Sequence, residues 1–104
     1  MVTVAVSGDF GKPRPAVIVQ SDAISEDHAS VIVCQITSEL ADLPDFRLTV
    51  DPTSGNGLRV RSQIMADKPS TIRKSRVGRK IGRLNPSDLT RLNSALSFAL
   101  GLLD

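Results

Sequence analysis

The stretch Lys12-Pro13-Arg14-Pro15-Ala16-Val17-Ile18-Val19 sets an arginine between two prolines, immediately before an apolar run. Each proline fixes its own φ near about −65° and biases the residue before it toward extended backbone. The β-branched residues that follow favour a strand. The stretch therefore predicts a β-strand from Pro15 to Gln20, with Arg14 held stiffly at its entry.

An arginine at such a junction is suited to holding an anion. Its guanidinium is always charged, and its fork of donors matches the oxygens of a phosphate. We predict that Arg14 binds a phosphodiester. The alternative from these residues alone is a solvated loop arginine whose neighbouring prolines protect the end of a strand.

Further strand patterns lie on both sides of this stretch. Alternating β-branched and small residues predict strands over Val2–Ser7 and Ser30–Thr37. Shorter patterns predict strands at Phe46–Asp51, Leu58–Ala66 and Gly78–Leu84, a continuation of the sheet at Thr71–Ile72, a hairpin loop at Pro52–Gly57 and one helical turn within Ser38–Asp45.

The C-terminal segment changes from strand periodicity to helix periodicity. Asn85-Pro86-Ser87-Asp88 combines an N-cap asparagine, a proline at the first helical position and an acid in the first turn. Apolar residues then recur at helical spacing: Leu89, Leu92, Leu96, Leu100 and Leu103, with Ala95, Phe98 and Ala99 beside them. We expect one domain over residues 1–104, mainly β with a C-terminal helix (α+β), whose short antiparallel strands close into a small barrel.

Length and composition exclude several classes of protein. The 104 residues contain no apolar run near the ~20 residues that span a bilayer, and no signal peptide is evident. The one cysteine, Cys34, lies in a strand pattern, so neither an internal disulfide nor a zinc site is expected. His28, in an acidic loop, is more typical of the surface than of a Cys–His pair. We expect a cytoplasmic protein that uses no cofactor or metal ion.

The net charge of +2 conceals a strong asymmetry along the chain. Residues 1–58 carry a net charge of −5, residues 59–83 carry +8, and the remainder carries −1. Such a basic block indicates an anionic partner, either nucleic acid or an acidic protein segment, although a solvated basic face is the alternative. Tyr and Trp are absent, so an aromatic platform for stacking bases is not expected.

Two further groups of side chains complement Arg14. Thr37 and Ser38 end a strand with hydroxyl groups, and the predicted strand Leu58–Ala66 alternates Arg59, Arg61, Gln63 and Met65 on one face with Leu58, Val60, Ser62 and Ile64 on the other. RNA cleavage without a metal needs a proton taken from the 2′-hydroxyl, a proton given to the leaving oxygen, and donors that stabilise the transition state. Arginine and hydroxyl groups can supply the donors.

In their order along the chain, these segments resemble the PemK/MazF family of toxin endoribonucleases from type II toxin–antitoxin modules. The resemblance covers nearly the whole chain. It is carried by Gly11–Val19, Val31–Ser38, Gly57–Lys68 and Ile81–Leu84 leading into the helix.

The resemblance implies an SH3-like barrel, a homodimer, metal-independent and sequence-specific cleavage of single-stranded RNA, and neutralisation by an acidic antitoxin. It also implies that Arg14 and Thr37 are catalytic. Residues expected to contact RNA are Lys12, Ser38, Arg59, Arg61, Ser62 and Gln63. Ser62 stands where some members of the family have Asp, so a carboxylate base is not available at that position.

Two other functions remain open at this point. A gyrase-poisoning toxin of the CcdB type shares the barrel and the dimer, but it acts through a C-terminal helix that ends near a Trp, which this chain lacks. A barrel that binds RNA or protein without cutting is the second alternative, because the sequence does not identify the groups that transfer protons.

Overall fold

The computed structural model describes residues 2–7, 13–21, 23–24 and 27–102, and within them six strands form one antiparallel sheet. Its strands are β1 (Val2–Ser7), β2 (Pro13–Ile18), β3 (Ser30–Thr37), β4 (Arg47–Val50), β5 (Ser62–Arg73) and β6 (Val77–Arg83). Their order across the sheet is β4-β5-β3-β2-β1-β6, and a 3₁₀ turn at Lys74–Arg76 joins β5 to β6. The predicted fold class is confirmed.

The central strands are buried on both faces of the sheet. Successive strand residues point to opposite faces, yet Ala16 and Val17 are both fully buried. Val17 packs in the larger core cluster, and Ala16 packs in a second cluster on the other face. This double burial explains why the segment reads as an almost continuous apolar run rather than as an alternating one.

Helix α1 (Pro86–Ala99) covers the larger cluster through Leu92 and Ala95. It begins as predicted, because the Asn85 side chain accepts a hydrogen bond of 2.8 Å from the Asp88 N–H. The apolar stripe is buried only in part: Phe98 and Leu100 are 52% and 56% exposed, and Leu103 lies outside the described residues. No described helix is long and apolar enough to cross a membrane.

The loop between β4 and β5 connects the two edges of the sheet through hydrogen bonds. Although β4 and β6 are at opposite edges, the Arg83 N–H in β6 donates to the Gly55 carbonyl in this loop at 2.8 Å. The Thr3 hydroxyl in β1 donates to the carbonyl of buried Asn56 at 2.9 Å. These contacts close the curved sheet into a small barrel.

The same loop is longer than the sequence predicts, because β5 begins at Ser62 and not at Leu58. The buried side chain of Asn56 holds the loop backbone on both sides of it out of the sheet. Its Oδ1 accepts from the Leu58 N–H at 3.0 Å, and its Nδ2 donates to the Asp51 carbonyl at 2.9 Å. The prediction that Arg59, Arg61, Gln63 and Met65 share one strand face is therefore wrong at its start. The continuation of the sheet through Thr71–Ile72 is confirmed within β5.

Other boundaries differ by small amounts. β2 begins at Pro13 rather than Pro15, β4 is confined to Arg47–Val50, and β6 ends at Arg83. The helical turn predicted before Pro44, within Ser38–Asp45, lies later in the structure. It is a single turn over residues 43–47, closed by the Arg47 N–H donating to the Leu43 carbonyl at 2.8 Å.

Candidate RNA-binding cleft

A cleft opens where β2 and β3 cease to pair. The Val19 N–H donates to the Ile32 carbonyl, so the odd-numbered N–H positions of β2 point toward β3. After Val17, the remaining odd positions of β2 are Pro15 and Pro13, which have no N–H to donate. Pairing between the strands accordingly stops at Ala16 opposite Gln35. The prolines thus leave the entry of β2 and the end of β3 open to a ligand.

The pairing register brings the two predicted catalytic residues to this opening. Ala16 is the last residue of β2 to pair with β3, opposite Gln35, and two more residues on each strand along the same register lead to Arg14 and Thr37. Two steps also return a side chain to the same face, so both side chains lie on one side of the sheet. Arg14 is anchored on its other side by its pairing with Val6 of β1.

Arg14 and Thr37 line a cleft of about 400 Å³, called here the arginine cleft. Three kinds of side chain line it. Arg14, Arg59 and Arg79 supply positive charge, Thr37, Ser38 and Ser62 supply hydroxyl groups, and Ala5, Ile36, Leu58, Val60 and Ile81 contribute apolar surface along with the prolines. The cleft thus combines donors for phosphate oxygens with apolar surface for a base or a ribose.

The three cleft arginines have no anionic partner of their own among the described residues. Arg14, Arg59 and Arg79 are all exposed, and none of the three side chains makes an ion pair or hydrogen bond with another described residue. No carboxylate is among the described lining residues. Like charges gathered without a counter-charge create a positive potential, which attracts an anionic ligand.

Local hydrogen bonds orient the cleft hydroxyl groups. The Thr37 oxygen accepts a bond of 3.1 Å from the Glu39 N–H, which leaves the hydroxyl proton free to be donated to a ligand. The Ser62 hydroxyl instead donates to the Val60 carbonyl at 2.9 Å, and Ser62 is buried. Thr37 is therefore the better prepared donor of the two.

Two of the residues predicted to contact RNA, Arg61 and Gln63, do not line this cleft, and the structure does not describe a third, Lys12. The Arg61 side chain points to Asp51, with Nε 3.3 Å from Oδ1. Lys12 lies outside the described residues. Gln63 is buried, and its amide is committed to protein partners.

Gln63 holds the segment between β3 and β4. Its Oε1 accepts from the Ala41 N–H at 3.0 Å, while its Nε2 donates to the Ala41 carbonyl at 2.9 Å and to the Thr49 hydroxyl at 3.2 Å. Gln63 borders a second concavity, of about 520 Å³, between this segment and α1. Gln63 also pairs with Thr37 across β5 and β3. Its hydrogen bonds to Ala41 therefore hold the segment that follows Thr37 against β5.

Cys34 and His28, the cysteine and histidine of the chain, do not line the arginine cleft. Burial, together with the charge of Asp67, raises the pKa of the Cys34 thiol to about 11, so the thiol is protonated at neutral pH and shielded from substrate. His28 is exposed in a loop, as predicted. Among the described residues, no cluster of three His, Cys, Asp or Glu side chains could hold a metal ion.

Sequence reasoning missed Arg79 and Ile81 of β6 as lining residues. Arg79 was counted only as part of the basic block. Its alternation with Ile81 was a visible signal, since both would share one strand face. Nothing in the local sequence says which face of β6 meets β2 and β3, because that depends on the order of the strands.

Comparison with known proteins agrees with this architecture. Residues 1–100 match the model of the PemK-like, MazF-like toxins of type II toxin–antitoxin systems. The chain is 38% identical to a probable endoribonuclease MazF of Mycolicibacterium smegmatis, over 96% of this chain and 92% of the relative. It is 31% identical to endoribonuclease MazF9 of Mycobacterium tuberculosis, over 94% and 86% of the two chains.

Among solved structures, the Mycobacterium tuberculosis toxin MazF-mt6 superposes with a TM-score of 0.84 at 28% identity, covering 97% of both chains. The likeness therefore extends over the barrel and the helix alike. The matched family model, the curated relatives and the fold lead to one conclusion: this chain belongs to the PemK-like, MazF-like toxin family of type II toxin–antitoxin systems.

Proposed function

We propose that this chain is the toxin of a toxin–antitoxin pair and an endoribonuclease that cleaves single-stranded RNA, including mRNA, at specific sequences in the cytoplasm. The observation that carries the proposal is the meeting of Arg14, Thr37 and Ser38 in one cleft with positive charge and no described carboxylate. The curated relatives are named endoribonucleases, which supports the same activity.

In the proposed reaction, the 2′-oxygen of the ribose attacks the adjacent phosphorus while the bond from phosphorus to the 5′-oxygen breaks. The 2′-hydroxyl gives up its proton and the departing 5′-oxygen gains one, leaving a 2′,3′-cyclic phosphate and a 5′-hydroxyl. Negative charge accumulates on the phosphoryl oxygens in the transition state. Arg14 and the Thr37 hydroxyl stabilise that charge as hydrogen-bond donors, and the Thr37 hydroxyl is already oriented by the Glu39 N–H before the substrate arrives.

The remaining cleft residues are proposed to bind the RNA. Ser38 and Arg59 are exposed in the arginine cleft, where they can reach phosphate oxygens, and Ser62 lies at its wall. RNA contact by Lys12, Arg61 and Gln63 stays a prediction. For Gln63 the hydrogen bonds to Ala41 support a role in positioning the chain after Thr37 instead.

Incubation of the purified protein with single-stranded RNA in EDTA tests this function. We expect cleavage at a limited set of sequences, with products that carry a 2′,3′-cyclic phosphate and a 5′-hydroxyl. A Thr37→Val preparation purified in the same way controls for contaminating nuclease, and it should lose about 10²–10³-fold in rate because one transition-state donor is removed.

Two results would contradict the proposal. One is intact RNA together with DNA cleavage in a parallel reaction with gyrase and relaxed DNA, which would favour the gyrase-poisoning alternative. The other is RNA binding without cleavage, which would favour a non-catalytic barrel. The family match and the names of the relatives favour the nuclease over both.

A second copy of this chain and an acidic antitoxin are the protein partners that we propose. Phe98, Leu100 and Leu102 are more than half exposed at the end of α1, and such an apolar surface is typical of an interface. The net charge of +8 over residues 59–83 complements an acidic antitoxin segment. Because the arginine cleft concentrates part of this charge, antitoxin and RNA are expected to compete for it.

Light scattering and competition binding test these partners. The free protein should have twice the mass of one chain, and the antitoxin should displace a fluorescent single-stranded RNA, with the displacement weakening as salt is added. A ternary complex of toxin, antitoxin and RNA would contradict the shared site, and a monomeric mass at micromolar concentration would contradict the dimer.

A further inference from the structure

Two irregularities occur in β6 close to the residues that line the arginine cleft. Val4 and Val6 of β1 are two positions apart, but their partners in β6, Lys80 and Val77, are three apart. A second shift follows, because Thr3 pairs with Gly82 while its neighbour Val4 pairs with Lys80. β6 therefore contains an extra residue at each of two places.

Bulges of this kind redirect the side chains of the strand that carries the extra residue. Here Arg79 and Ile81 line the arginine cleft, whereas Lys80 and Gly82 line a different concavity beside the β4–β5 loop. Gly78 begins the first bulge and lies against β1: a Cβ on it would sit 3.0 Å from the Ala5 carbonyl oxygen. The irregular strand thus delivers one further guanidinium to the cleft.

Arg79 and Arg14 line the cleft from two strands that are not neighbours, β6 and β2. β1 separates β6 from β2, so their backbones are about 10 Å apart at the usual strand spacing, whereas β2 and β3 are neighbours. Thr37 and Arg14 therefore belong to neighbouring strands, whereas Arg79 is two strands away from Arg14. A single-stranded RNA held at Arg14 and Thr37 would extend past Arg79 with another phosphate.

We propose that Arg79 binds a phosphate next to the one being cleaved, and that it sets substrate affinity rather than the rate of bond breakage. This proposal rests on the endoribonuclease function proposed above. Arg79 is exposed, is paired with no other described residue, and shares the cleft with Arg14 and Arg59. Its fork of donors can take a phosphate in two hydrogen bonds.

The test compares Arg79→Ala with Lys80→Ala. Both variants remove one positive charge from adjacent positions of β6, but only Arg79 lines the arginine cleft. Steady-state cleavage is measured on an RNA oligonucleotide that carries a site cut by the unaltered protein. Binding is measured on the same oligonucleotide with a 2′-deoxy nucleotide at the point of attack, which removes the attacking hydroxyl.

We expect Arg79→Ala to raise KM and the Kd for the deoxy analogue about tenfold or more, with kcat changed by less than about threefold, since a charged hydrogen-bond donor is lost outside the reacting phosphate. The slope of log Kd against log salt should fall by about 0.7, the value for one phosphate contact on a single strand. Lys80→Ala should leave KM, kcat and the slope near those of the unaltered protein.

Three outcomes would overturn the proposal. Equal increases of KM in both variants would mean that β6 attracts RNA only through its overall positive charge and not through a contact made by Arg79. A loss in kcat without a change in KM would place Arg79 on the reacting phosphate. Unchanged kinetics would remove Arg79 from the site. In all three cases the unaltered protein still cuts RNA, whereas failure of the proposed function itself would appear as an unaltered protein that cuts none.

Discussion

Arg14→Ala is expected to reduce the rate of RNA cleavage by about 10²–10³-fold while leaving the fold intact. The expected loss follows from the position of Arg14, which lines the same cleft as Thr37 at the opening that the two prolines leave between β2 and β3. The fold should tolerate the change because the side chain is exposed, and its backbone pairing with Val6 does not depend on the guanidinium. Single-turnover cleavage in EDTA measures the rate, and thermal unfolding measures the stability.

Arg73→Ala is the matched control for this prediction. Arg73 is also an exposed strand arginine, but it pairs with Ser30 in β3 and does not line the arginine cleft. Arg14→Lys should recover only part of the activity, since lysine keeps the charge and loses the planar fork. Cleavage by Arg14→Ala at the rate of Arg73→Ala would show that Arg14 has no part in the reaction.

Gly57→Ala is expected to cost more than about 4 kcal/mol of folding free energy, which is exceptional for a single substitution. Gly57 has a φ of 72°, in the left-handed region that alanine disfavours. A Cβ at this position would also overlap the carbonyl oxygen of Ile81. The Ile81 carbonyl belongs to the backbone of β6, so it cannot rotate away. Urea unfolding should show a greatly lowered midpoint, because domains of this size are stabilised by only about 5–15 kcal/mol in total.

Gly55→Ala provides the matched control in the same loop. A Cβ on Gly55 would meet only the Thr53 hydroxyl oxygen, at an ordinary distance of 3.8 Å. Its unfolding midpoint should stay close to that of the unaltered protein. If Gly57→Ala unfolded at the same urea concentration as Gly55→Ala, the loop would not be held against β6 in the way the structure describes. Since Leu58 and Arg59 continue from Gly57 into the cleft wall, loss of this contact should also impair RNA cleavage.

Much of the secondary structure could be predicted because it rests on local chemistry. β1 and β3 have the predicted bounds, and α1 begins where Asn85 caps it. The errors occur where a tertiary contact overrides the local pattern. Residues 58–61 alternate like a strand, but buried Asn56 takes the hydrogen bonds of the neighbouring backbone and keeps this part of the chain in a loop.

Only part of the lining of the arginine cleft could be predicted from the sequence. Arg14 and Thr37 could be selected because their segments, in order along the chain, resemble those of a known family. The different positions of Arg59 and Arg61 could not be predicted. Arg59 lines the cleft, whereas the Arg61 side chain points to Asp51. Gln63 shows the same limit, since no local pattern indicates that its amide is used by the backbone of Ala41, far away in sequence.

The sequence by itself determined the stiff entry to β2, the cap of α1, the basic block over residues 59–83 and the family to which the chain belongs. These properties depend on residue types and on spacings of a few residues, which is the range over which backbone sterics, capping and charge act. Only the tertiary structure decided the composition of the arginine cleft. The order of the strands sets β6 beside β1, and Arg79, in the irregular part of β6, lines the same cleft as Arg14 and Thr37. That arrangement arises from pairing between segments that are distant along the chain, where hydrogen-bond register and burial determine which side chains meet.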